Sequence, residues 1–205
     1  MHSNAFCFEN MDSSRALLVD FIRRTSEVPE PVAKGIAANF EPVEVRKNDI
    51  ILKEGKVCDQ YIFLDSGFAR AYTFDAEGNE VTTNFFGPQA VAFEVSSFFR
   101  RTPSKENIQA LTDCNGWYVN YETLNNLFHG MPEFREFGRT VLVNGFVALK
   151  ERMLSMINHT AEQRYELLLQ SKPEIFQNAS LKHIASYLGI ADTSLSRIRK
   201  ELARK

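Results

Sequence analysis

The segment Leu181-Lys-His-Ile-Ala-Ser-Tyr-Leu-Gly-Ile-Ala-Asp-Thr-Ser-Leu-Ser-Arg-Ile-Arg-Lys-Glu-Leu202 constrains this chain more than any other. It reads as two short amphipathic helices hinged at Gly189. In the first, Leu181, Ile184, Ala185 and Leu188 fall at i, i+3, i+4 and i+7, a single apolar face at helical period. Gly189 then closes that helix, because a residue without Cβ takes the left-handed conformation that turns the chain sharply at little steric cost. In the second helix Leu195, Ile198 and Leu202 form the buried side, and 3.6 residues per turn sends Thr193, Ser196, Arg197, Lys200 and Arg204 to the opposite one. Two such helices across a tight glycine turn make a helix-turn-helix.

A helix fits the major groove of B-DNA, where Arg reads guanine bidentately, Lys holds phosphate or guanine, and hydroxyls bond to phosphates or base edges. The expected DNA-binding residues are Lys182, His183, Thr193, Ser194, Ser196, Arg197, Arg199 and Lys200. His183 enters as a phosphate contact from the first helix, and Arg199 flanks the buried side. A solvated charged face on an ordinary helical hairpin is the alternative. Charge distribution favours double-stranded DNA as the partner. The whole chain carries −2, yet Leu181 to Lys205 holds six Lys/Arg against Asp192 and Glu201, so this segment is +4 and the rest −6. Attraction to phosphate is screened beyond about 10 Å, so a basic tail binds while an acidic body does not interfere.

With 205 residues and 44% apolar content, the chain holds one large or two modest globular domains. No apolar run is long enough to span a bilayer, and the amino terminus lacks a basic stretch followed by an apolar one. The expectation is a cytoplasmic protein with no membrane partner. Cys7, Cys58 and Cys114 are widely separated, and His2, His129, His159 and His183 are scattered, so structural thiols and no metal site are expected. A cupin-type enzyme would need clustered His and carboxylate ligands on strands, but Pro42 to Tyr121 contains no histidine. No catalytic residues are assigned and the chain is not expected to be an enzyme.

Along the chain, Ser14 to Phe40 reads as helical, with Leu17, Leu18, Phe21 and Ile22 on one side and Pro29 and Pro31 interrupting and restarting the pattern. From Pro42 to Tyr121 short β-rich runs (Val43 to Arg46, Ile50 to Lys53, Tyr61 to Leu64, Phe68 to Phe74, Val81 to Phe86, Ile108 to Leu111, Trp117 to Val119) alternate with turn signals, predicting a sandwich or barrel. Helix resumes near Tyr121 and runs most clearly from Pro132 to about Ile157. Phe134, Phe137, Val141, Leu142, Phe146, Val147, Leu149, Met153, Met156 and Ile157 more than fill one stripe there, so one side is expected to cover the β-domain and another to meet a second copy. Burial of that helix wholly within one chain is the alternative. Asn158-His159 marks a break, and Thr160 with Gln163 matches a capping box.

This order resembles the Crp/Fnr family of bacterial transcription regulators, the cyclic-AMP receptor protein's family, over nearly the whole chain. In the β-region the likeness rests on Lys53-Glu-Gly55, Tyr61-Ile-Phe-Leu-Asp-Ser-Gly-Phe-Ala-Arg-Ala-Tyr72 and Asp75-Ala-Glu-Gly-Asn-Glu80; at the other end it rests on Ile184-Ala-Ser-Tyr-Leu-Gly-Ile190 and Ser194-Leu-Ser-Arg-Ile-Arg-Lys200. The resemblance implies an α+β fold in three parts: a cyclic-nucleotide-binding-like β-roll (jelly roll) with N-terminal helices over 1–130, a long dimerisation helix and hinge over 131–158, and a helix-turn-helix domain over 159–205. It also implies a homodimer through the 132–157 helix.

The family's phosphate cassette opens on Gly-Glu and closes on Arg-Ser/Thr-Ala, the Arg and hydroxyl gripping the cyclic phosphate and the glutamate the ribose. Here the corresponding ligand-binding positions are Phe93, Glu94, Ser104, Lys105 and Asn107, and only the glutamate is kept. Without the Arg the main anion clamp is gone, and a phenyl ring at the glycine position fills phosphate space. Cyclic AMP is therefore not the expected ligand, no cofactor is assigned, and the effector is unknown. Arg100, Arg101 and Lys105 either rebuild an anion site from other directions or are simply solvated. The long-helix positions that bind adenine in the family align with Val147 and Ala148. No β-wing follows the second helix, so fewer DNA-backbone contacts are expected. The resemblance thus implies a sequence-specific DNA-binding regulator that engages RNA polymerase and whose β-roll either senses an unidentified small molecule or has become a structural scaffold. The rival reading is a small-molecule sensor without specific DNA readout.

Overall fold

The computed structural model describes residues 4–202, with side chains from residue 15 onward; His2, Arg204 and Lys205, and the side chain of Cys7, lie outside what is described. Two helices, α1 (Asn4–Ser26) and α2 (Glu30–Ala37), lead into the β-region. Pro31 sits in the first turn of α2, where its missing N–H costs no hydrogen bond. Leu18, Val19 and Ile22 of α1 are buried, while Leu17, expected beside them, is exposed.

Eight strands follow: β1 (Glu41–Val45), β2 (Ile50–Leu52), β3 (Gln60–Ser66), β4 (Ala69–Phe74), β5 (Glu80–Phe86), β6 (Val91–Ala92), β7 (Asn107–Ala110) and β8 (Cys114–Asn120). They form two antiparallel four-stranded sheets, ordered β1-β8-β3-β6 and β2-β7-β4-β5. This is the expected β-roll. Two elements between β5 and β7 carried no sequence signal: the two-residue strand β6 and the short helix α3 (Val95–Arg100). The Asp75 to Asn79 hairpin forms as its residues dictate, with Asp75 Oδ1 accepting from the N–H groups of Glu77 (3.0 Å) and Asn79 (2.7 Å).

The core lies between the sheets and under the helices. Tyr61, Ile62, Phe63 and Leu64 of β3 are all buried, because β3 is central in its sheet and α1 packs over it. Glycine is required at 116, where a Cβ would run into the carbonyl oxygen of Phe63 on the neighbouring strand. Trp117 is also buried, and its Nε1–H donates to Asp65 Oδ2 at 2.8 Å. Burial of Asp65 raises its carboxyl pKa, and the indole N–H opposes that shift.

After β8 come α4 (Tyr121–Gly130), α5 (Pro132–Asn158), α6 (Ala161–Ser171), α7 (Ile175–Asn178), α8 (Leu181–Leu188) and α9 (Asp192–Leu202). Helix α5 ends where Asn158-His159 predicts, and Thr160 and Gln163 form both bonds of the capping box (3.2 and 2.8 Å). The expectation that the apolar residues of α5 cover the β-roll along one side holds only for its start. Phe134, Phe137 and Gly138 are buried, whereas Phe146, Leu149 and Ile157 are 66%, 63% and 71% exposed. Among the described residues no helix is long and apolar enough to cross a membrane.

Candidate nucleic-acid interface

The helix-turn-helix is built by three local devices. Ser180 caps α8 by accepting the His183 N–H at 3.2 Å. At its other end Gly189 adopts φ +67°, and two bonds, Gly189 N–H to Ser186 O (3.1 Å) and Ile190 N–H to Ala185 O (3.0 Å), complete a Schellman closure. The positive φ is what requires glycine; a Cβ there would also press on the end of the flexible Met156 side chain of α5, which can move aside. Helix α9 then buries Leu195 and Ile198 against Ile184, Ala185 and Leu188.

The opposite face of α9 is open. Thr193, Ser196, Arg197, Arg199 and Lys200 are exposed, and Ser194 is half-buried. The Arg197 side chain is 75% exposed, with Glu201 one turn away at 4.0 Å as its ion-pair partner. Such a pair in high dielectric holds the guanidinium weakly, so a guanine edge or phosphate can displace the carboxylate. Lys182 is exposed at the start of α8. Leu181, read as part of the apolar face, is exposed as well. His183 is placed differently from the rest: it is half-buried, its Nδ1 is enclosed, and it lies near Arg70 of β4 and Glu80 of β5.

The β-roll positions proposed for a ligand are occupied by internal bonds. Phe93 is packed among Tyr61, Phe98 and Phe99, with ring centroids 4.9, 5.6 and 6.2 Å away. Glu94 caps α3, its two oxygens accepting from Ser96 N (2.9 Å) and Ser97 N (2.6 Å). Ser104 Oγ donates to Glu106 O (2.7 Å), and Asn107 Oδ1 accepts from Glu54 N (3.0 Å). Lys105 is exposed. Arg101 is exposed but engaged within the chain: it donates to Cys58 O (2.9 Å) and to the Asp59 carboxylate (Oδ1, 2.6 Å) and lies over the Tyr121 ring, which leaves it less free to grip a ligand anion. Arg100 is exposed.

A carboxylate missed by sequence reasoning, Glu106, stands near Glu94. Its pKa is raised by burial and by the Glu94 charge, against the lowering influence of the Thr83 hydroxyl and Arg152. Glu106 thus adds a second acid beside Glu94, with Arg152 also within its reach. Cys58 and Cys114 are free and buried, with thiol pKa values pushed up chiefly by burial. Among the described residues no group of three or more His, Cys, Asp or Glu is placed to hold a metal.

A further set of residues escaped notice because only the fold brings them together. Arg152 of α5 donates to Thr83 O of β5 (2.5 Å) and Tyr187 O of α8 (3.0 Å), joining three parts of the chain. In the sequence it sits in Lys150-Glu-Arg152, which reads as solvated charge.

The geometry defines a class: a β-roll carrying a long helix and a helix-turn-helix head. Residues 42–130 match the family described as cyclic nucleotide-binding domain. No curated protein sequence matches the chain. Among solved structures, FixK2 from Bradyrhizobium japonicum is similar at 18% identity and TM-score 0.68, over 80% of this chain and 85% of that one. CLP, the c-di-GMP responsive global regulator of Xanthomonas campestris, is similar at 15% identity and TM-score 0.67, over 86% and 92%. A protein from Eubacterium rectale assigned to the crp/fnr family of transcriptional regulators is similar at 17% identity and TM-score 0.65, over 86% and 84%. Residues 42–130 are therefore similar to the cyclic nucleotide-binding domain family, and the chain shares the fold of these regulators, one of them assigned to the crp/fnr family.

Proposed function

We propose that the protein is a homodimeric, sequence-specific DNA-binding transcription regulator whose β-roll does not take cyclic AMP. The observation that carries this reading is the α8–α9 elbow. Its glycine closure and buried Leu195 and Ile198 fix α9 with Thr193, Ser196, Arg197 and Lys200 turned outward. That is the geometry with which a helix reads base edges in a major groove. Like the regulators whose fold it shares, it acts by binding and catalyses no reaction; RNA polymerase is the partner through which bound protein would alter transcription, in the cytoplasm.

Dimerisation is supported by α5. Leu142, Phe146, Leu149, Met153 and Met156 recur at spacings of 4, 3, 4 and 3, the seam of a coiled coil, with exposed Val143 and Ile157 beside it. A second copy of the same helix is the partner that such a seam fits, and it would set two recognition helices in the two-fold relation that DNA half-sites require.

The ligand reading is supported by Phe93 in its aromatic cluster, Glu94 tied to α3, and Glu106, a second partly buried acid beside Glu94. Titrating cyclic AMP into the protein in a calorimeter is expected to give no saturable heat at micromolar to millimolar nucleotide. Saturable binding in that range would contradict the reading and return the β-roll to the nucleotide-sensing class. DNA binding itself is tested by mobility shifts on genomic fragments at graded salt. A regulator retains a few discrete fragments as salt rises, whereas a sensor without readout retains none.

A further inference from the structure

Helix α8 does more than support α9; it lies against β5 of the β-roll. Ser186 Oγ accepts the Thr82 N–H at 3.1 Å and sits 3.1 Å from Thr82 Oγ1. The Tyr187 ring packs on Phe85 (5.1 Å) and beneath the Arg152 guanidinium (4.1 Å). Under this polar belt Phe68, Phe85 and Leu111 of the β-roll share one apolar cluster with Ile184, Leu188 and Leu195 of the head.

His183 lies at the edge of that belt, one turn before Ser186 and Tyr187. Its Nδ1 is buried without a hydrogen-bond partner. Nearby on β4 is Arg70, whose side chain is 3% exposed. Arg70 uses Nη2 for Glu80 and for Gln109 (3.1 Å) and stacks on Tyr72, leaving Nε and Nη1 buried and without partners. The charged groups around the imidazole are Arg70 from β4, Glu80 from β5, Lys182 on α8 itself and Asp192 from α9. A neutral imidazole can offer Nδ1 as an acceptor toward buried donors, whereas an imidazolium has only donors and adds a cation beside Arg70.

We propose that the α8–β5 seam is a proton-sensitive latch: neutral His183 keeps the head docked on the β-roll, and its protonation releases the head and frees α9 to reorient. The direction is consistent with the imidazole's own balance. Burial, Arg70 and Lys182 hold its pKa below the ordinary histidine value, against Glu80 and Asp192. A base with a depressed pKa in the docked state favours docking fully above its undocked value of about 6.5, and that contribution falls away as pH drops below it. Each unit by which docking lowers the pKa weakens the docking equilibrium tenfold at acid pH. The consequence for transcription rests on the DNA-binding reading above; the latch itself does not.

The test uses the full chain without DNA, so that its failure is separable from failure of that reading. Amide-exchange protection factors, corrected for intrinsic pH dependence, are measured in β5 and α8 at pH 7.5 and 5.5. Wild type is expected to lose protection across both elements at the lower pH, by at most about tenfold, the limit set by an undocked pKa of about 6.5, and His183→Gln to show no such pH-dependent loss. Unchanged protection in wild type, or a parallel loss in His183→Gln, would overturn the latch. Should the variant be unprotected at both pH values, NMR titration of the wild-type His183 ring decides: a pKa below 6.5 upholds the latch, and one at or above it overturns it.

Discussion

Glutamate at both Phe146 and Leu149 will split the protein into monomers and weaken operator binding by about 10²–10⁴-fold. Both side chains are mostly exposed on the isolated chain, so in one copy their replacement removes little packing. In a dimer each would be buried against the facing helix, where a large apolar side chain contributes roughly 1.5–3 kcal/mol. The double variant removes that contribution twice on each helix and sets four carboxylates in an apolar seam, a cost that pairing cannot offset. The loss of DNA affinity follows from multivalency, because the second head of a dimer binds at the effective concentration set by the first, and a monomer forgoes it. Sedimentation equilibrium checks the oligomeric state, and fluorescence anisotropy on a full operator and on a half-site checks the consequence. Half-site binding should survive. A variant that stays dimeric would mean that α5 is not the dimer contact.

The second large effect is at Arg197. Its guanidinium projects from α9 with only the exposed Glu201 carboxylate for company, and a bidentate contact to a base is worth about 1–3 kcal/mol of discrimination. Arg197→Ala is therefore expected to reduce preference for operator over random duplex by about 5–150-fold per half-site. Arg197→Lys should not restore it, because an ammonium cannot make the planar two-bond contact. Lys200→Ala is the contrast: losing a phosphate contact weakens all sequences alike and lowers the salt dependence by about one ion per half-site. Competition binding with operator and scrambled duplexes separates the two. Undiminished selectivity in Arg197→Ala would remove this residue from the readout.

Much of this architecture was legible because its determinants are local. Gly189 announces its own turn, the Thr160 and Gln163 pair announces the start of α6, and alternating runs between turn residues announce the strands. The direction of the α9 side chains followed from helical period alone. What could not be read was where elements meet. His183 looks like any polar residue at the start of a helix, and only the docking of α8 on β5 brings it within the electrostatic reach of Arg70 and Glu80. Arg152 is one charge in a charged run until the fold sets it between two backbone carbonyls. Helix α3 escaped notice for a related reason, since six residues carry too little periodicity and its stability comes from the Glu94 cap. The cassette shows the same limit: sequence comparison could register the missing arginine, whereas the approach of Glu106 to Glu94 required coordinates.

The measurement that bears most directly on the central claim is selection of bound sites from a random duplex library by the wild-type protein. A dimer presenting two α9 helices should enrich a two-fold symmetric motif, its half-sites centred about 34 Å apart, one turn of the duplex, or a multiple of it. Failure to enrich any motif above the input library would contradict the assignment of α8 and α9 as a sequence-reading head.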